Sequence, residues 1–260
     1  MEPVTLLLSP HLDDAILSCP AFIQRAPNPL IATFFSSGSA TLYRQRRAED
    51  RVAAKVLNAR TTHLALPDAP FRSARYQTFS GLIFGRATSR QDATTALNAL
   101  VERHNPALVL SPLAIGNHVD HRIIRDAALV AVPPQILRFY EDRPYAFIPE
   151  QIHHALGLTR IDEYQPPEYW KRYFATTYIR NYLRGLMTQR QLARAWSRVP
   201  PFPKPLRIAQ TVEPVNRELT RTIEAIFTYK TQVSDLFRDR KEARSLYGSH
   251  PEIQYRLDYH

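Results

Sequence analysis

The stretch LLLSPHLDDAILS, residues 6–18, places an apolar run directly before three ionisable side chains. The run VTLLL, residues 4–8, has the length and composition of a buried β-strand. His11, Asp13 and Asp14 follow it within six residues. In open parallel sheets, ligands bind beyond the carboxyl ends of the strands. The stretch therefore predicts the first strand of such a sheet, with a functional site at its carboxyl end.

Four further short apolar runs follow in the first half of the chain, and helical patterns separate them. The clearest helical pattern spans 41–59, where Leu42, Ala48, Val52 and Val56 recur at helical spacing. This alternation predicts an α/β fold, with a Rossmann-like parallel sheet of strand order 3-2-1-4-5 and helices on both faces. The five candidate strands are 4–8, 30–36, 62–66, 107–111 and 136–140.

The composition is that of an ordinary globular protein, with 260 residues of which 44% are hydrophobic and 22% charged. Cys19 is the single cysteine, which excludes an intrachain disulfide and a cysteine-rich zinc site. The first residues lack the basic segment and the long apolar run of a signal peptide. No stretch reaches the roughly 18 apolar residues of a spanning helix. We therefore expect a cytoplasmic protein without stable membrane insertion.

Most of the net charge of +10 lies in the second half of the chain, where residues 160–250 contain 17 Lys or Arg and 9 Asp or Glu. Such a surplus is typical of proteins that bind nucleic acid, membrane surfaces or anionic substrates, and it equally serves solubility alone. We expect a catalytic core over 1–150 and a helical insert or cap, basic and aromatic, over 151–210. A C-terminal helix within 211–260 is expected to pack back on the core, in a single domain overall.

A second polar cluster follows the fourth candidate strand, in SPLAIGNHVDHRIIRDA, residues 111–127. It contains His118, Asp120 and His121. Strands 1 and 4 are neighbours in the expected order, so the loops after them should face each other. Together they offer a donor set that suits a catalytic zinc with three protein ligands. Spacing alone does not decide which of the two histidines binds the metal, and Asp14, taken alone, is more typical of a helix cap.

The segments PHLDDA and GNHVDHR together resemble the signatures of the PIG-L/LmbE family of zinc-dependent de-N-acetylases, usually written HPDDE and HPDH or HxDH. The resemblance extends to RRAEDRVAAKVL with HLALPDAPFR, to FYEDRPYA and to IEAIFTYKTQ. It covers 1–150 and a C-terminal helix, whereas 155–210 resembles nothing in the family. It implies a Rossmann-like fold that removes the N-acetyl group from an N-acetylglucosamine-type amino sugar or its conjugate.

The resemblance also implies roles for the six polar residues, with Zn²⁺ as the cofactor. The family's zinc ligands are matched by His11, Asp14 and His121. Asp13 matches the general base that takes a proton from water. His118 matches the residue that stabilises the oxyanion or helps to protonate the leaving amine. Asp120 matches the carboxylate that orients and tunes His118.

Three positions depart from the family's signatures. Leu12 replaces the usual Pro, and Ala15 replaces the usual Glu, which is not a zinc ligand. Gly116 stands two residues before the first histidine of the second cluster, where some members have a Tyr. The resemblance implies that this tyrosine acts as an acid or stabilises the oxyanion. In this chain that group is absent or is supplied from elsewhere, with Tyr140 and Tyr145 as candidates.

Three residues outside the polar clusters are candidates for substrate contact. Arg44, Arg46 and Arg47 begin the second helical pattern, where positive charges oppose the helix dipole and so need a reason. The resemblance implies a substrate-binding arginine here, and Arg47 is chosen narrowly over its neighbours; a solvated helix start is the alternative. Asp68 follows the third strand and could hold a hydroxyl group, or it could serve a turn. Glu141, followed by Asp142, comes directly after the fifth strand at the same edge of the sheet.

Two other functions remain open from the sequence. The same centre could cleave a different amide, with the 155–210 insert shaping the pocket. Alternatively, the basic second half could bind nucleic acid or a lipid surface while the metal site is vestigial. The intact polar constellation favours the enzyme, so the expected partner is a small N-acetylated amino sugar or glycoconjugate. No nucleic acid is expected, and a homo-oligomer is possible.

Overall fold

The computed structural model describes residues 2–162, 164–175, 177, 180 and 187–258. At its centre lies a seven-stranded sheet. The strands are β1 (Thr5–Ser9), β2 (Pro29–Thr33), β3 (Arg60–His63), β4 (Leu108–Pro112), β5 (Leu137–Tyr140), β6 (Leu206–Val212) and β7 (Glu252–Leu257). Their order across the sheet is β3-β2-β1-β4-β5-β7-β6.

The first five strands are parallel and take the predicted order. β1 lies at the centre of this group, where Leu7 is paired with Ile31 on one side and Leu110 on the other. Every residue of β1 and β2 is buried, because both faces of a parallel sheet are covered by the connecting helices. The loops that follow β1 and β4 are therefore neighbours at the carboxyl edge, as the sequence predicts.

Helices cover both faces of the sheet. Leu6 and Leu8 pack into a core on one face with Ile123, whereas Leu7 packs on the other face with Ala54. This alternation follows from the two-residue period of a strand. The helices are α1 (Asp14–Ser18), α2 (Pro20–Arg25), α3 (Ala40–Val56), α4 (Ala69–Arg72), α5 (Phe79–Phe84), α6 (Arg90–His104), α7 (Val119–Ala131), α8 (Pro149–Ala155), α9 (Pro167–Ala175), α10 (Gln189–Trp196), α11 (Asn216–Ile226), α12 (Val233–Leu236) and α13 (Arg240–Ser249).

The C-terminal region differs from the helical addition expected from the sequence, because it also supplies two strands. β7 pairs antiparallel with β5, and β6 pairs antiparallel with β7 at the edge of the sheet. β7 alternates polar and apolar residues and β6 mixes them, so both lack the continuous apolar run that marks β1 and β2. Glu252 ties β7 to α2 by accepting the N–H groups of Ala21 and Phe22 at 2.7 and 2.8 Å.

The insert contains the helices that its aromatic residues indicate. α9 begins at Pro167 and buries Trp170 and Tyr173, which pack against Trp196 of α10. The aromatic and basic segment continues into 176, 178–179 and 181–186, which lie outside the described residues. Since β6 begins within the range 151–210, this region contributes to the sheet as well; the domain boundaries stay a prediction.

Two smaller findings complete the fold. β3 ends at His63, earlier than the predicted 62–66, and the chain then turns at Ala65, which has a positive φ of 56°. Its carboxyl end still leads to Asp68 at the edge of the sheet. Within the part of the chain that is described, no helix is long and apolar enough to cross a membrane.

Candidate metal centre

The loop after β1 is held by Ser9, the last residue of that strand. Ser9 Oγ donates to the carbonyl oxygen of His11 at 2.6 Å and accepts the N–H of Ala15 at 3.0 Å. The backbone N–H of His11 donates to Asp14 Oδ2 at 2.7 Å. These bonds close a tight turn between β1 and α1, and the turn fixes His11 and Asp14 at the carboxyl edge of the sheet.

The loop after β4 brings the second polar cluster to the same edge. His118 is the N-cap of α7, and the first turn of that helix contains Asp120 and His121. The loop itself is anchored to the end of β5, because the N–H of Ile115 donates to Asp142 Oδ2 at 3.1 Å. The first cluster is thus held by Ser9 at the end of its own strand, and the second by Asp142 after the neighbouring strand β5.

Three histidines from the two loops converge. The ring centroids of His11 and His118 are 4.9 Å apart, and the ring of His121 lies 5.4 Å from each of them. One nitrogen from each ring lies within 4.8 Å of those of the other two, an arrangement that could hold a metal ion. The meeting of the two loops, which the strand order predicts, is confirmed.

Asp14 lies between two of these rings. Its Oδ2 atom is 3.0 Å from His11 Nδ1 and 3.3 Å from His121 Nε2. One carboxylate oxygen and two imidazole nitrogens therefore share one small space, and this is the donor set of many three-ligand zinc sites.

The electrostatics of the site favour a positive charge among these groups. Burial alone would lower the pKa of His121, but Asp14 and Asp142 raise it to about 10. The pKa of His11 is likewise raised well above its usual value, by Asp68 and Asp14 against the effect of burial. Burial would raise the pKa of Asp14, yet His121 and His11 hold it well below its usual range. Carboxylates that hold protons on two buried imidazoles are also suited to hold a divalent cation, so the residues present fit a metal.

A carboxylate fixes the tautomer of His121. Asp142 Oδ1 lies 2.6 Å from His121 Nδ1, so that nitrogen carries the proton and donates. A cation that displaces the second proton of the ring would then meet the lone pair of the Nε2 atom, which faces Asp14. A ligating histidine whose second nitrogen donates to a carboxylate is the usual arrangement in metal sites.

His118 has the opposite tautomer. Its Nδ1 atom accepts the backbone N–H of Asp120 at 3.2 Å. Burial, together with the nearby His11, lowers the pKa of His118 to about 3, so the ring is neutral and its proton sits on Nε2. The nitrogen that remains for the cavity is therefore a donor. The hydrogen bonds thus distinguish His118, which offers a proton to the cavity, from His121, whose Nε2 is suited to a metal, although their spacing in the sequence does not.

The side chain of Asp120 differs from the expectation that it orients His118. Its Oδ2 atom lies 3.0 Å from His11 Nε2 and accepts the N–H of Ala69 at 3.2 Å, while Oδ1 accepts from Arg72. His118 is held by the backbone of Asp120, because the helix start turns that N–H toward the ring. The carboxylate instead takes the position relative to His11 that Asp142 takes relative to His121.

Asp13 is buried beside this group and is held by a residue far away in the sequence. Gln232 Nε2 donates to Asp13 Oδ2 at 2.8 Å. Burial and the charge of Asp14 raise the pKa of Asp13 to about 7. A carboxyl group that titrates near neutrality is suited to take and return a proton.

The segment that carries Gln232 is anchored on α3. Tyr229 OH donates to Asp50 Oδ1 at 2.8 Å, and Thr231 Oγ1 donates to Glu49 Oε2 at 2.6 Å. The sequence motif IEAIFTYKTQ contains this segment and contributes to the family resemblance, but the sequence gives no reason to assign its glutamine to Asp13. The sequence feature that could have pointed to Gln232 is the polar segment TYKTQ, residues 228–232, which follows α11.

The three candidates for substrate contact have different positions. Asp68 lines the cavity at the metal centre, with Oδ1 3.5 Å from His11 Nε2, and it accepts the hydroxyl proton of Tyr43. Burial would raise the pKa of Asp68, but His11 holds it well below its usual value.

The positions of Arg47 and Glu141 disagree with the expected substrate contact. Arg47 donates to the carbonyl oxygen of Ser36 at 2.7 Å, and Arg46 lines the cavity instead, because successive helix residues point about 100° apart. Glu141 accepts from Tyr255 OH at 2.7 Å and lines a different cavity.

The cavity at the metal centre has a volume of 140 Å³. Tyr145 lines it, whereas the hydroxyl of Tyr140 donates to the carbonyl oxygen of Leu8 at 2.8 Å. A Cβ atom on Gly116 would lie 2.4 Å from the ring of Tyr145. Gly116 has no side chain, and the ring of Tyr145 from another loop occupies the space that a side chain would fill. Of the two tyrosines considered as replacements, Tyr145 therefore lies at the cavity and Tyr140 does not.

Comparison with known proteins identifies a family and relatives that this chain resembles. Residues 6–132 match the sequence profile of the PIG-L family, described as GlcNAc-PI de-N-acetylase. The 2'-N-acetylparomamine deacetylase of Streptomyces fradiae is 30% identical over 160 residues. This alignment spans 55% of the chain and 57% of that relative, so it leaves a large part of both proteins unmatched.

Solved structures resemble the whole fold. A deacetylase triple mutant from the teicoplanin biosynthetic pathway has a TM-score of 0.63 at 19% identity, covering 98% of this chain and 97% of its own. The A40926 pseudoaglycone deacetylase Dbv21 has a TM-score of 0.60 at 21% identity, over 98% and 96%. The zinc-inhibited form of the teicoplanin deacetylase Orf2 has a TM-score of 0.60 at 19% identity, over 98% of both chains. The fold is shared with these deacetylases, and residues 6–132, just under half of the chain, match the PIG-L family.

Proposed function

We propose that this protein is a zinc-dependent hydrolase that removes the N-acetyl group from an N-acetylglucosamine-type amino sugar or its conjugate. The proposal rests on three kinds of group that line one cavity. Imidazoles and a carboxylate suited to a metal lie beside a separate carboxylate, Asp13, and a neutral hydrogen-bond donor, His118. The family match and the similarity to a 2'-N-acetylparomamine deacetylase support the same chemistry.

His11, Asp14 and His121 would hold the metal. Two nitrogens and one oxygen suit Zn²⁺, which leaves room for water and substrate beside three protein ligands. When bound, the metal supplies Lewis-acid chemistry, because it polarises the amide carbonyl and makes water a better nucleophile near neutral pH. Asp120 and Asp142 fix the rings of His11 and His121 from outside.

Asp13 moves the proton of the reaction. Its carboxylate takes one proton from the attacking water as the new C–O bond forms at the acetyl carbonyl. The same proton is then delivered to the sugar nitrogen as the C–N bond breaks, so that the free amine and acetic acid leave, and the acid gives its remaining proton to the solvent. Gln232 keeps the carboxylate oriented throughout by its 2.8 Å bond to Oδ2.

His118 stabilises the charge that develops on the carbonyl oxygen. Since its Nδ1 atom is engaged by the backbone of Asp120, the Nε2–H is the group that it presents to the cavity. A preorganised donor in a buried site contributes most when negative charge forms on the oxygen. Asp68 and Arg46 line the same cavity and are available to the hydroxyl groups of the sugar.

The test is the release of free amine from a panel of N-acetylated amino sugars, conjugates and unrelated amides by zinc-loaded protein. We expect turnover of amino sugars, and a fall in kcat of about 100-fold or more in Asp13→Asn with bound zinc unchanged. Exposed Asp92→Asn is the matched control and should behave as the wild type.

The same panel distinguishes the other functions. Turnover only of amides that lack a sugar would replace the substrate class while keeping the metal hydrolase. A protein that binds no zinc and releases no amine from any compound would contradict the proposal. Parallel loading with Co²⁺, Fe²⁺ and Mn²⁺ shows whether zinc gives the most active form.

A further inference from the structure

A second cavity adjoins the metal centre. It has a volume of 630 Å³, more than four times the 140 Å³ of the first. Pro144 and Leu236 line both cavities. Arg143 lines the first cavity, and its guanidinium lies over the ring of Phe147, which lines the second, at 5.2 Å. The two spaces therefore lie side by side, with common wall residues between them.

The wall of the second cavity is mainly apolar. Phe147, Ile148, Phe237 and Leu246 supply it, together with the shared Leu236. Apolar surface of this kind, beside a small polar cavity, is typical of sites that bind the uncharged part of an organic ligand.

The charged groups of this wall are already engaged within the protein. Arg172 forms an ion pair with Glu150. Glu242 Oε2 accepts the backbone N–H of Arg238 at 2.5 Å, and the backbone N–H of Glu242 donates to Asp239 Oδ1, the N-cap of α13, at 2.8 Å. They are therefore poor candidates for binding a charged ligand, and the apolar surface is what the cavity offers.

One short element forms part of both cavities. α12 follows Gln232 directly, so the chain passes from the contact with Asp13 to the wall between the two spaces within four residues. Asp235 lines the first cavity, Phe237 lines the second, and Leu236 lines both. A ligand whose amide reaches Asp13 would meet this element first and the apolar wall next.

We propose that the second cavity binds an apolar aglycone carried by the same substrate, so that the preferred substrates are N-acetylated amino sugars with an alkyl chain of several carbons. This inference rests on the proposed deacetylation at the metal centre. The small polar cavity accommodates the acetamido end of the sugar, and the larger apolar one accommodates the chain beyond Leu236.

The test compares glycosides of N-acetylglucosamine that differ only in the aglycone: methyl, butyl, hexyl and octyl, each below its critical micelle concentration. We expect kcat/KM for amine release to rise about two- to fourfold per added methylene until the cavity is filled, mostly through KM. Leu246→Gln should abolish this gain and leave the methyl glycoside unchanged, since Leu246 lines only the second cavity. Exposed Leu158→Gln is the matched control and should retain the gain.

The outcomes separate this inference from the function on which it rests. Equal kcat/KM for all four glycosides would overturn the apolar subsite and leave the deacetylase intact. A gain that appears only above the critical micelle concentration would show surface binding and would also overturn it. If neither the glycosides nor any other compound of the panel releases amine, the proposed function is wrong and this inference falls with it. A folding defect in Leu246→Gln would show as a loss on the methyl glycoside, and the wild-type series then decides.

Discussion

His118 and His121 are three residues apart, yet their hydrogen-bond partners give them opposite tautomers. Asp142 accepts a hydrogen bond from the Nδ1–H of His121, whereas the backbone N–H of Asp120 donates to Nδ1 of His118. One ring therefore offers a lone pair to the centre of the site and the other offers a proton. The residue type is the same, and the partner decides the chemistry.

This difference predicts opposite effects of two identical substitutions. His118→Asn keeps an oxygen that can cap α7 but removes the Nε2–H donor, so kcat should fall about 100- to 1,000-fold while zinc stays bound. His121→Asn should lose the zinc itself. Metal analysis of the purified proteins, together with kcat, checks both. Loss of zinc from His118→Asn with zinc retained in His121→Asn would reverse the assignment.

Gln232 provides a second prediction for a single residue. Gln232→Leu removes the 2.8 Å hydrogen bond to the Asp13 carboxylate, so kcat should fall about tenfold or more. Since a bond to the ionised form lowers a carboxyl pKa, its loss should raise the pKa of Asp13 and move the acidic limb of the kcat/KM profile to higher pH. A purely structural role for Gln232 would leave the limb in place. Exposed Gln91→Leu is the matched control.

Asp142 and Glu141 are neighbours in sequence but contact different residues, His121 and Tyr255 respectively, so they allow a matched pair of variants. Asp142→Asn weakens the contact that orients His121, so zinc affinity should fall about 10- to 100-fold. Glu141→Gln should leave zinc affinity unchanged, because Glu141 faces Tyr255 and another cavity. Zinc titration against a competing chelator measures both. An equal loss in the two variants would indicate a general disturbance of the loop after β5.

At the scale of elements, the parallel half of the sheet could be predicted and the antiparallel half could not. β1 and β4 are continuous apolar runs because helices cover both faces, and their order places His11 beside His121. β6 and β7 carry mixed polar and apolar residues. The pairing of β7 with β5 joins residues more than 100 positions apart in sequence, and β6 in turn pairs with β7. Patterns within a short window do not contain that information.

The candidate site shows the same division. The two loops that hold the polar clusters follow from strand order, so their meeting could be predicted. The bond from Gln232 to Asp13 joins residues 219 positions apart, and only the packing of the segment after α11 on α3 creates it. Arg46 and Arg47 illustrate a smaller limit, because one step along a helix decides which side chain enters the cavity.

The contact between β5 and β7 gives a prediction at this scale. Burial raises the pKa of Glu141 from 4.5 to about 7 beside Tyr255 of β7. The stabilising effect of protonation is therefore present below pH 4.5 and is lost as the pH rises through about 7. Glu141→Gln keeps an acceptor for Tyr255 and removes the titration, so it should match the wild type near pH 4. At pH 8 it should be more stable, by about 1 to 3 kcal/mol.

Urea unfolding at the two pH values measures this difference. Exposed Glu224→Gln is the control and should give the same change with pH as the wild type. Equal stability of Glu141→Gln and the wild type at pH 8 would show that the Glu141 carboxylate is not penalised by its surroundings.

At the scale of the whole molecule, the proposed metal joins parts of the chain that are distant in sequence. His11 and Asp14 follow β1, whereas His121 lies at the start of α7 after β4. A zinc ion bound by all three would bind the folded chain far more tightly than the unfolded one, so it should stabilise the fold as a whole. Free zinc at 100 times its Kd should add about 2.7 kcal/mol to the free energy of unfolding.

For a chain of this size, that energy should raise the Tm by about 5 to 10 °C relative to the chelator-treated protein. Calorimetry of the metal-free protein across a zinc titration measures the shift, which should follow the titration curve and reverse on chelation. His121→Asn should lose the shift and Gln232→Leu should keep it, because Gln232 contacts Asp13 and none of the three proposed ligands. A shift that survives His121→Asn would place the stabilising ion elsewhere on the molecule, and the ligand set would then have to be reassigned.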